Sequence, residues 1–220
     1  MKKNFDFIHE KVFLNKEIIQ LLNIKFSKIY NDNIYQSEHD HIREIRSNTI
    51  SKETMFEEIM KKIYKKFIFL TNISDLKFKK LWLVHSVANN VDKTKLPYIP
   101  HIDKNRYLKG MVYLHDVKLK NGPIHLGKVK NTVNIEQIRK KLPKNYKEMG
   151  LNIVSENQID GILKPMIGKM GDLILFDTNT PHKAGLIKDG ESRKILRFDF
   201  EIPTYNEKYF IKKYFKKFFT

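Results

Sequence analysis

From Leu81 onward the chain consists of short runs of β-branched and aromatic residues separated by turn signals, and this pattern constrains its fold more than any other feature. The runs are LWLVHSV, LKGMVYLHDV, PIHLGKV, GDLILFDT, HKAGLI and RKILRFDFEI. Asn121-Gly122-Pro123 and Asp189-Gly190 are turn sequences, and Gly171 comes directly before a strand. Many short strands in one region predict an antiparallel β-sandwich or a jelly roll.

The rest of the chain is predicted to be helical around this β-region. Residues 1–80 contain NKEIIQLLNIKFSKI and SKETMFEEIMKKIYKKFIFL, whose apolar residues recur at spacings of three and four. A lysine-rich helix, NIEQIRKKLPKNYKEM, interrupts the strands, and Pro143 is expected to bend or end it. With no repeat or low-complexity linker, 1–220 is expected to form one domain, with a mainly helical part at 1–80 and a β-core at 81–202.

Residues 203–220 form a predicted amphipathic helix with an aromatic stripe and many lysines. Such a helix either docks its apolar face on the protein's own sheet or lies on a membrane surface. Docking is the favoured interpretation, and peripheral membrane contact through this helix is the alternative.

Composition excludes several classes of protein. The absence of cysteine rules out disulfides and thiolate metal ligands. No apolar stretch has spanning length, and Asp6 and Glu10 interrupt any apolar region behind the basic N-terminus, so a cytoplasmic location is expected. The net charge of +17 comes mostly from lysine, since only six of the 42 basic residues are arginine. Because arginine is preferred for reading bases and clamping phosphates, we attribute most of this charge to biased composition and consider nucleic acid an improbable partner.

Four residues of the β-region have the chemistry of a metal site. His101 and Asp103 are one residue apart, so they point to the same side of a strand, and His182 follows the GDLILFDT run. Two imidazoles and one carboxylate on one face of iron(II) leave three positions for a chelating co-substrate and dioxygen. Arg193, eleven residues after His182, begins the next strand and offers a bidentate fork for a carboxylate.

The segment from His101 to Phe200 resembles the phytanoyl-CoA dioxygenase-like branch of the iron(II)- and 2-oxoglutarate-dependent oxygenases. The resemblance rests on His101-Ile102-Asp103, LKGMVYLHDVKLKNGP, GDLILFDTNTPH and Arg193 in that order. It implies a mainly β protein with flanking helices, whose core is a double-stranded β-helix, the cupin-like form of the jelly roll.

The resemblance also implies a chemistry. Iron(II) would be bound by His101, Asp103 and His182, which are the catalytic residues, with 2-oxoglutarate and dioxygen as co-substrates. Arg193 would hold the distal carboxylate of 2-oxoglutarate, and His85 is a second co-substrate candidate. The carboxylate at Asp103 argues against halogenation. Where the family has PGSH after its turn, this chain has IHLGKVKN, so the lysine-rich insertion becomes the candidate lid.

The substrate is expected to be a small or carrier-linked, anionic molecule, such as a sugar, a glycan or a nucleotide-linked intermediate. Lys104, Arg106 and Lys109 follow the metal motif and would make the pocket mouth positive, and His125 is a further substrate candidate. Two alternatives stay open: a basic, non-catalytic module that binds nucleic acid or an anionic surface, and an alkylated-nucleobase demethylase. The demethylase would need a longer spacing from His182 to its arginine and a second arginine on the strand, and Arg197 is too close to Arg193 to match. Arg197 is separately predicted to face the same side as Arg193 and to pair with an acid such as Asp199 or Glu201.

Overall fold

The computed structural model describes residues 5–31, 42–47, 54–88, 90, 92–143, 145–146, 150 and 152–203. Within these residues, nine strands form two antiparallel sheets. The larger sheet has the order β1-β7-β4-β9-β3-β2 and the smaller one β6-β5-β8. The strands are β1 (Phe7–Glu10), β2 (Ile42–Ser47), β3 (Lys77–Val87), β4 (Tyr107–Tyr113), β5 (His125–Val129), β6 (Ile159–Pro165), β7 (Leu173–Asp177), β8 (His182–Lys183) and β9 (Ser192–Glu201).

Two long helices cover one face of the larger sheet. They are α1 (Lys16–Asn31) and α2 (Thr54–Thr71), and both are amphipathic as their apolar spacing predicts. Their buried side chains, among them Phe26 and Ile63, pack against alternate residues of the central strands such as Leu83 and Phe198. Gly110 on β4 allows this close approach, because a Cβ there would lie 2.9 Å from the Ile63 side chain.

A second apolar cluster fills the space between the two sheets, which we call the barrel interior. The larger sheet contributes Val84, Met111, Ile174, Phe176 and Ile195, and the facing side contributes residues that include Ile124, Leu126 and Met166. Because side chains alternate along a strand, each strand of the larger sheet sends one set of residues to the helices and the other to the barrel interior. Helices packed on one face of a two-sheet jelly roll are the architecture predicted for a double-stranded β-helix, so that prediction is confirmed.

A third, small cluster lies beneath the insertion. The helix α3 (Ile135–Lys141) ends two residues before Pro143, and its Ile135 packs with Ile102, Val154 and Ile159. The Asn134 side chain caps α3 by accepting a hydrogen bond from the Gln137 amide. This packing holds the insertion against the chain around His101 and Asp103.

Three strands were not predicted from the sequence, namely β1, β2 and β6. The first two lie in the part predicted to be mainly helical, where they pair with β7 and β3. No described helix is long and apolar enough to cross a membrane. The predicted C-terminal helix falls on residues outside the described part of the chain, apart from Pro203.

Candidate metal centre

The three predicted metal ligands meet at the edge of the smaller sheet. The backbones of His101 and His182 are joined by two hydrogen bonds, from His101 N to His182 O at 3.0 Å and from His182 N to His101 O at 2.9 Å. One ligand atom from each of His101, Asp103 and His182 lies within 4.8 Å of the others. In the part of the chain that the structure describes, no other group of histidine and acidic side chains meets this condition.

Both imidazole rings are oriented by the chain that precedes them. The Nδ1 atom of His101 lies 2.9 Å from the Ile99 carbonyl, and that of His182 lies 2.9 Å from the Thr180 carbonyl. Since a carbonyl can only accept, Nδ1 is the donor in each of these contacts, and Nε2 is the ring atom left to face a metal. The ring centroids are 4.4 Å apart. A hydrogen-bonded Nδ1 and a free Nε2 are the arrangement that metal-binding histidines use.

The charges suit a cation. Burial, together with the neighbouring His182, lowers the pKa of His101 to about 4, so this ring is neutral at physiological pH and can donate its lone pair. Burial by itself would raise the pKa of Asp103, but Lys109 and His182 outweigh it and hold that pKa well below its usual range. The centre therefore presents the neutral imidazole of His101 and an ionised carboxylate of Asp103.

Lys109 contacts this carboxylate directly. Its Nζ lies 2.5 Å from Asp103 Oδ2, whereas Asp103 Oδ1 lies 3.6 Å from His182 Nε2. The sequence placed Lys109 only near the pocket mouth. No local sequence signal predicts this contact with Asp103, because it depends on how β4 lies beside residues 101–106, which we call the metal loop.

The substrate candidates Lys104 and Arg106 are engaged within the protein. Arg106 forms a two-pronged ion pair with the buried carboxylate of Asp177, with Nε 2.9 Å and Nη2 2.5 Å from Oδ2. This pair links residues 101–106 to the end of β7, and the substrate role of Arg106 stays a prediction. The Lys104 Nζ donates to the Pro143 carbonyl at 3.1 Å and lies 5.1 Å from the Tyr146 ring, so it ties the loop after α3 to the centre.

Arg139 of α3 is a site residue that the sequence did not indicate. Its side chain is 2% exposed. It donates to the Asp103 carbonyl at 3.0 Å, to the Asn179 side chain at 2.5 Å and to the Thr178 carbonyl at 3.4 Å. The insertion is thereby attached to both segments that carry metal ligands, the one with Asp103 and the one that leads to His182.

The two arginines of β9 have different partners. Arg197 forms an ion pair with Asp199 at 2.9 Å and stacks on the Trp82 ring at 3.9 Å. Arg193 donates to the Gly122 carbonyl, and its buried Nε has no hydrogen-bond partner. It lies near Tyr98 and Tyr113, and burial lowers its pKa. The predicted pairing of Arg197 with Asp199 is therefore present, whereas among the described residues Arg193 has no carboxylate partner.

Arg193 and the three ligand residues share the barrel interior. Arg193 belongs to the same alternating set of β9 residues as Ile195, which lies in the apolar cluster between the sheets. Leu126, opposite His182 in the smaller sheet, and Phe176, whose ring is 5.5 Å from the His182 ring, belong to this cluster too.

Two histidines assigned to the site from the sequence lie elsewhere. His85 pairs with Lys194 across β3 and β9, and Lys194 extends toward Phe26 of α1, so His85 faces the helices. Its predicted co-substrate contact stays a prediction. His125 lies beside Lys183, on the opposite face of β5 from Leu126. Its Nδ1 is 3.1 Å from the Pro123 carbonyl, and it does not join the metal ligands.

No family model and no curated protein sequence matches this chain. Solved structures do match its fold. The non-heme alpha-ketoglutarate-dependent carbocyclase SnoK from nogalamycin biosynthesis has a TM-score of 0.65 at 12% identity, with 90% of this chain and 80% of SnoK covered. HygX from Streptomyces hygroscopicus, solved with nickel and 2-oxoglutarate bound, has a TM-score of 0.63 at 10% identity over 90% and 83% of the two chains. A Pseudomonas putida prolyl-4-hydroxylase has a TM-score of 0.57 at 10% identity over 90% and 93%. At such identities the likeness to these structures establishes the fold alone.

The residues present fit an iron(II) ion and a 2-oxo acid. Two imidazoles and one carboxylate form the donor set of non-haem iron(II) oxygenases. The carbonyl-bound Nδ1 atoms supply the outer contacts that such ligands need. In the barrel interior, the buried Nε of Arg193 can still donate to a carboxylate. The three ligand residues therefore fit a divalent metal, and Arg193 is the candidate partner for a carboxylate.

Proposed function

We propose that this protein is an iron(II)- and 2-oxoglutarate-dependent oxygenase that hydroxylates a small or carrier-linked, anionic substrate. The observation that carries the proposal is the group of His101, Asp103 and His182. In this group, the Nδ1 atom of each histidine is already bonded to a backbone carbonyl. The order of motifs from His101 to Arg193 supports a place in the phytanoyl-CoA dioxygenase-like branch.

The protein residues have separate tasks in this proposal. His101, Asp103 and His182 hold iron(II), and Arg193 binds the distal carboxylate of 2-oxoglutarate. When bound, iron(II) and 2-oxoglutarate would couple reduction of dioxygen to oxidation of 2-oxoglutarate into succinate and carbon dioxide, with one oxygen atom entering a substrate C–H bond. The apolar side chains around the centre, such as Leu126 and Phe176, exclude water from the reacting groups.

The charge of the barrel interior supports an anionic substrate. Among the described residues, cationic side chains outnumber carboxylates on the strand faces that line it; they are Lys80, Lys109, Arg193 and Arg197 against Asp103, Asp199 and Glu201. Iron(II) and doubly ionised 2-oxoglutarate carry opposite charges of equal size, so their binding does not change this surplus. A surplus of positive charge in a partly enclosed site attracts anions.

The proposal is tested by succinate formation. Purified protein supplied with iron(II), 2-oxoglutarate and oxygen should form succinate slowly without substrate, and faster with a substrate that it hydroxylates. His101→Ala, Asp103→Ala and His182→Ala should each abolish metal binding and succinate formation while the circular dichroism spectrum stays that of the wild type. His125→Ala is the matched control, because His125 makes the same kind of Nδ1 contact but lies outside the metal ligands.

Two results would contradict this assignment. Normal turnover by any one of the three alanine variants would remove that residue from the metal centre. Failure of the iron-loaded wild type to bind 2-oxoglutarate would favour the basic binding module instead. That alternative predicts metal-independent binding to random DNA, with a dependence of log affinity on log salt of roughly −0.9 per phosphate contact.

A further inference from the structure

Lys109 occupies a position where lysine is unusual. It lies on β4 with its side chain in the barrel interior, between its strand neighbours Phe176 and Asp199. The side chain is 12% exposed, and its Nζ lies 5.9 Å from the centre of the Phe176 ring. An ammonium group in such surroundings is costly unless it is paired, and its pair is the carboxylate of Asp103.

The contact divides the two oxygens of Asp103 between different partners. Oδ2 accepts from Lys109 at 2.5 Å, and Oδ1 is turned toward His182 Nε2 at 3.6 Å. A carboxylate can bind a metal through one oxygen or through both. With Oδ2 held by the ammonium group, only Oδ1 is directed toward the space beside the two imidazoles.

This division matters for the number of open metal positions. Two imidazoles and one carboxylate oxygen leave three of six positions open, which a chelating 2-oxo acid and dioxygen require. If both carboxylate oxygens bound the metal, only two positions would stay open. The contact between Lys109 and Asp103 thus bears directly on co-substrate binding.

We infer that Lys109 is a positioning residue that restricts Asp103 to one-oxygen metal binding and so keeps the third position open. The inference rests on the proposed function. Lys109 touches neither the metal nor 2-oxoglutarate in this arrangement and acts only through Asp103. Because an ammonium group also repels a metal cation, its loss should not weaken metal binding itself.

The test compares Lys109→Met and Lys109→Arg with the wild type, all loaded with manganese(II) as a stand-in. Water-proton relaxivity of the loaded protein reports how many water molecules exchange on the metal. Lys109→Met should bind manganese at least as tightly as the wild type, yet its relaxivity should be lower by roughly a third, because one of three open positions is lost. Lys109→Arg retains a cationic donor and should resemble the wild type.

A second measurement follows 2-oxoglutarate. In iron(II)-loaded protein without oxygen, Lys109→Met should bind 2-oxoglutarate roughly tenfold more weakly than the wild type, as followed by the visible absorption of the chelate. Lys169→Met is the matched control, since it removes the lysine of an exposed pair with Asp116 at 3.1 Å. It should leave both measurements unchanged.

The inference is overturned if Lys109→Met keeps wild-type relaxivity, or if it loses manganese binding, which would indicate a general structural role. The relaxivity measurement does not involve 2-oxoglutarate. A wild-type protein that binds metal but no 2-oxoglutarate would therefore contradict the proposed function separately, whatever the relaxivity result for Lys109.

Discussion

At the residue scale, each ligand histidine is oriented by its own short sequence. Pro100 precedes His101 and Pro181 precedes His182, and in both cases the carbonyl two residues before the histidine accepts from Nδ1. A residue before proline is held in an extended conformation, which fixes that carbonyl relative to the ring. The orientation of the two imidazoles is therefore largely local.

Arg193 and Arg197 should differ when each is replaced. We expect Arg193→Ala to weaken 2-oxoglutarate binding by about 100-fold, because two charge-assisted hydrogen bonds of about 1.5 kcal/mol each would be lost. Arg193→Lys should recover only part of this, since lysine has no planar fork. Titration calorimetry with metal-loaded protein measures both.

Arg197→Ala should instead affect stability. It leaves the mostly buried carboxylate of Asp199 without its partner, which costs about 3 kcal/mol. For a protein of this size we expect a melting temperature lower by roughly 6–12 °C. Should Arg197→Ala abolish 2-oxoglutarate binding while Arg193→Ala leaves it intact, the assignment of the anchor to Arg193 is wrong.

At the scale of secondary-structure elements, the insertion and the metal loop form one unit. The helix α3 sends Arg139 into contact with the Asp103 carbonyl and with Thr178 and Asn179 after β7. Arg106 ties the same loop to Asp177 at the end of β7. These two arginines link segments that are distant in sequence and hold the ligand residues at fixed separations.

Replacing Arg139 should therefore loosen the metal centre. We expect Arg139→Met to lower metal affinity roughly 10–100-fold, the usual cost of losing an outer contact of a metal site. Arg139→Lys should recover little, because one ammonium group cannot bond to all three acceptors. The exposed neighbour Lys140→Met is the control. Isothermal titration with manganese(II) measures the effect, and unchanged affinity in Arg139→Met would refute this role.

At the scale of the whole molecule, the jelly roll separates stability from function. The helices and the outer face of the larger sheet form one apolar cluster, whereas the candidate site uses the barrel interior and its edge. Removal of a ligand residue such as His182 therefore leaves the larger core intact. The net charge of the whole chain is +17. Cationic side chains also outnumber carboxylates in the barrel interior.

Ligand binding should raise the stability of the whole fold. A ligand at about 100 times its dissociation constant stabilises the folded state by about 2.7 kcal/mol. In a protein of this size that corresponds to a melting temperature higher by roughly 5–10 °C. We expect this shift when manganese(II) is added to the wild type, measured by calorimetry, and no shift in His182→Ala. An equal shift in that variant would mean that the metal binds elsewhere.

The sequence by itself determined the elements whose signals are local. Alternating apolar runs located the buried strands β4 and β7, apolar spacing located α1 and α2, and Pro143 lies just beyond the end of α3. The ligand residues of the candidate centre could also be named, because the spacing of His101 and Asp103 and the motif before His182 are both contained in short segments. The alternation of side chains along a strand likewise predicts that Arg193 and Arg197 lie on one face of β9.

Only the tertiary structure decided what depends on partners far along the chain. The strand β6 is mostly exposed and contains Gly161 with a φ of 76°, so it lacks a pattern of its own and forms by pairing with β5. His85 faces the helices because of its register against β9, and Arg106 is bound by Asp177, 71 residues away. Lys109 and Asp103 are only six residues apart, but their contact too depends on how β4 lies beside the loop that carries Asp103. The sequence predicts which side chains of a strand lie on the same face. The packing of distant segments determines which residues that face contacts.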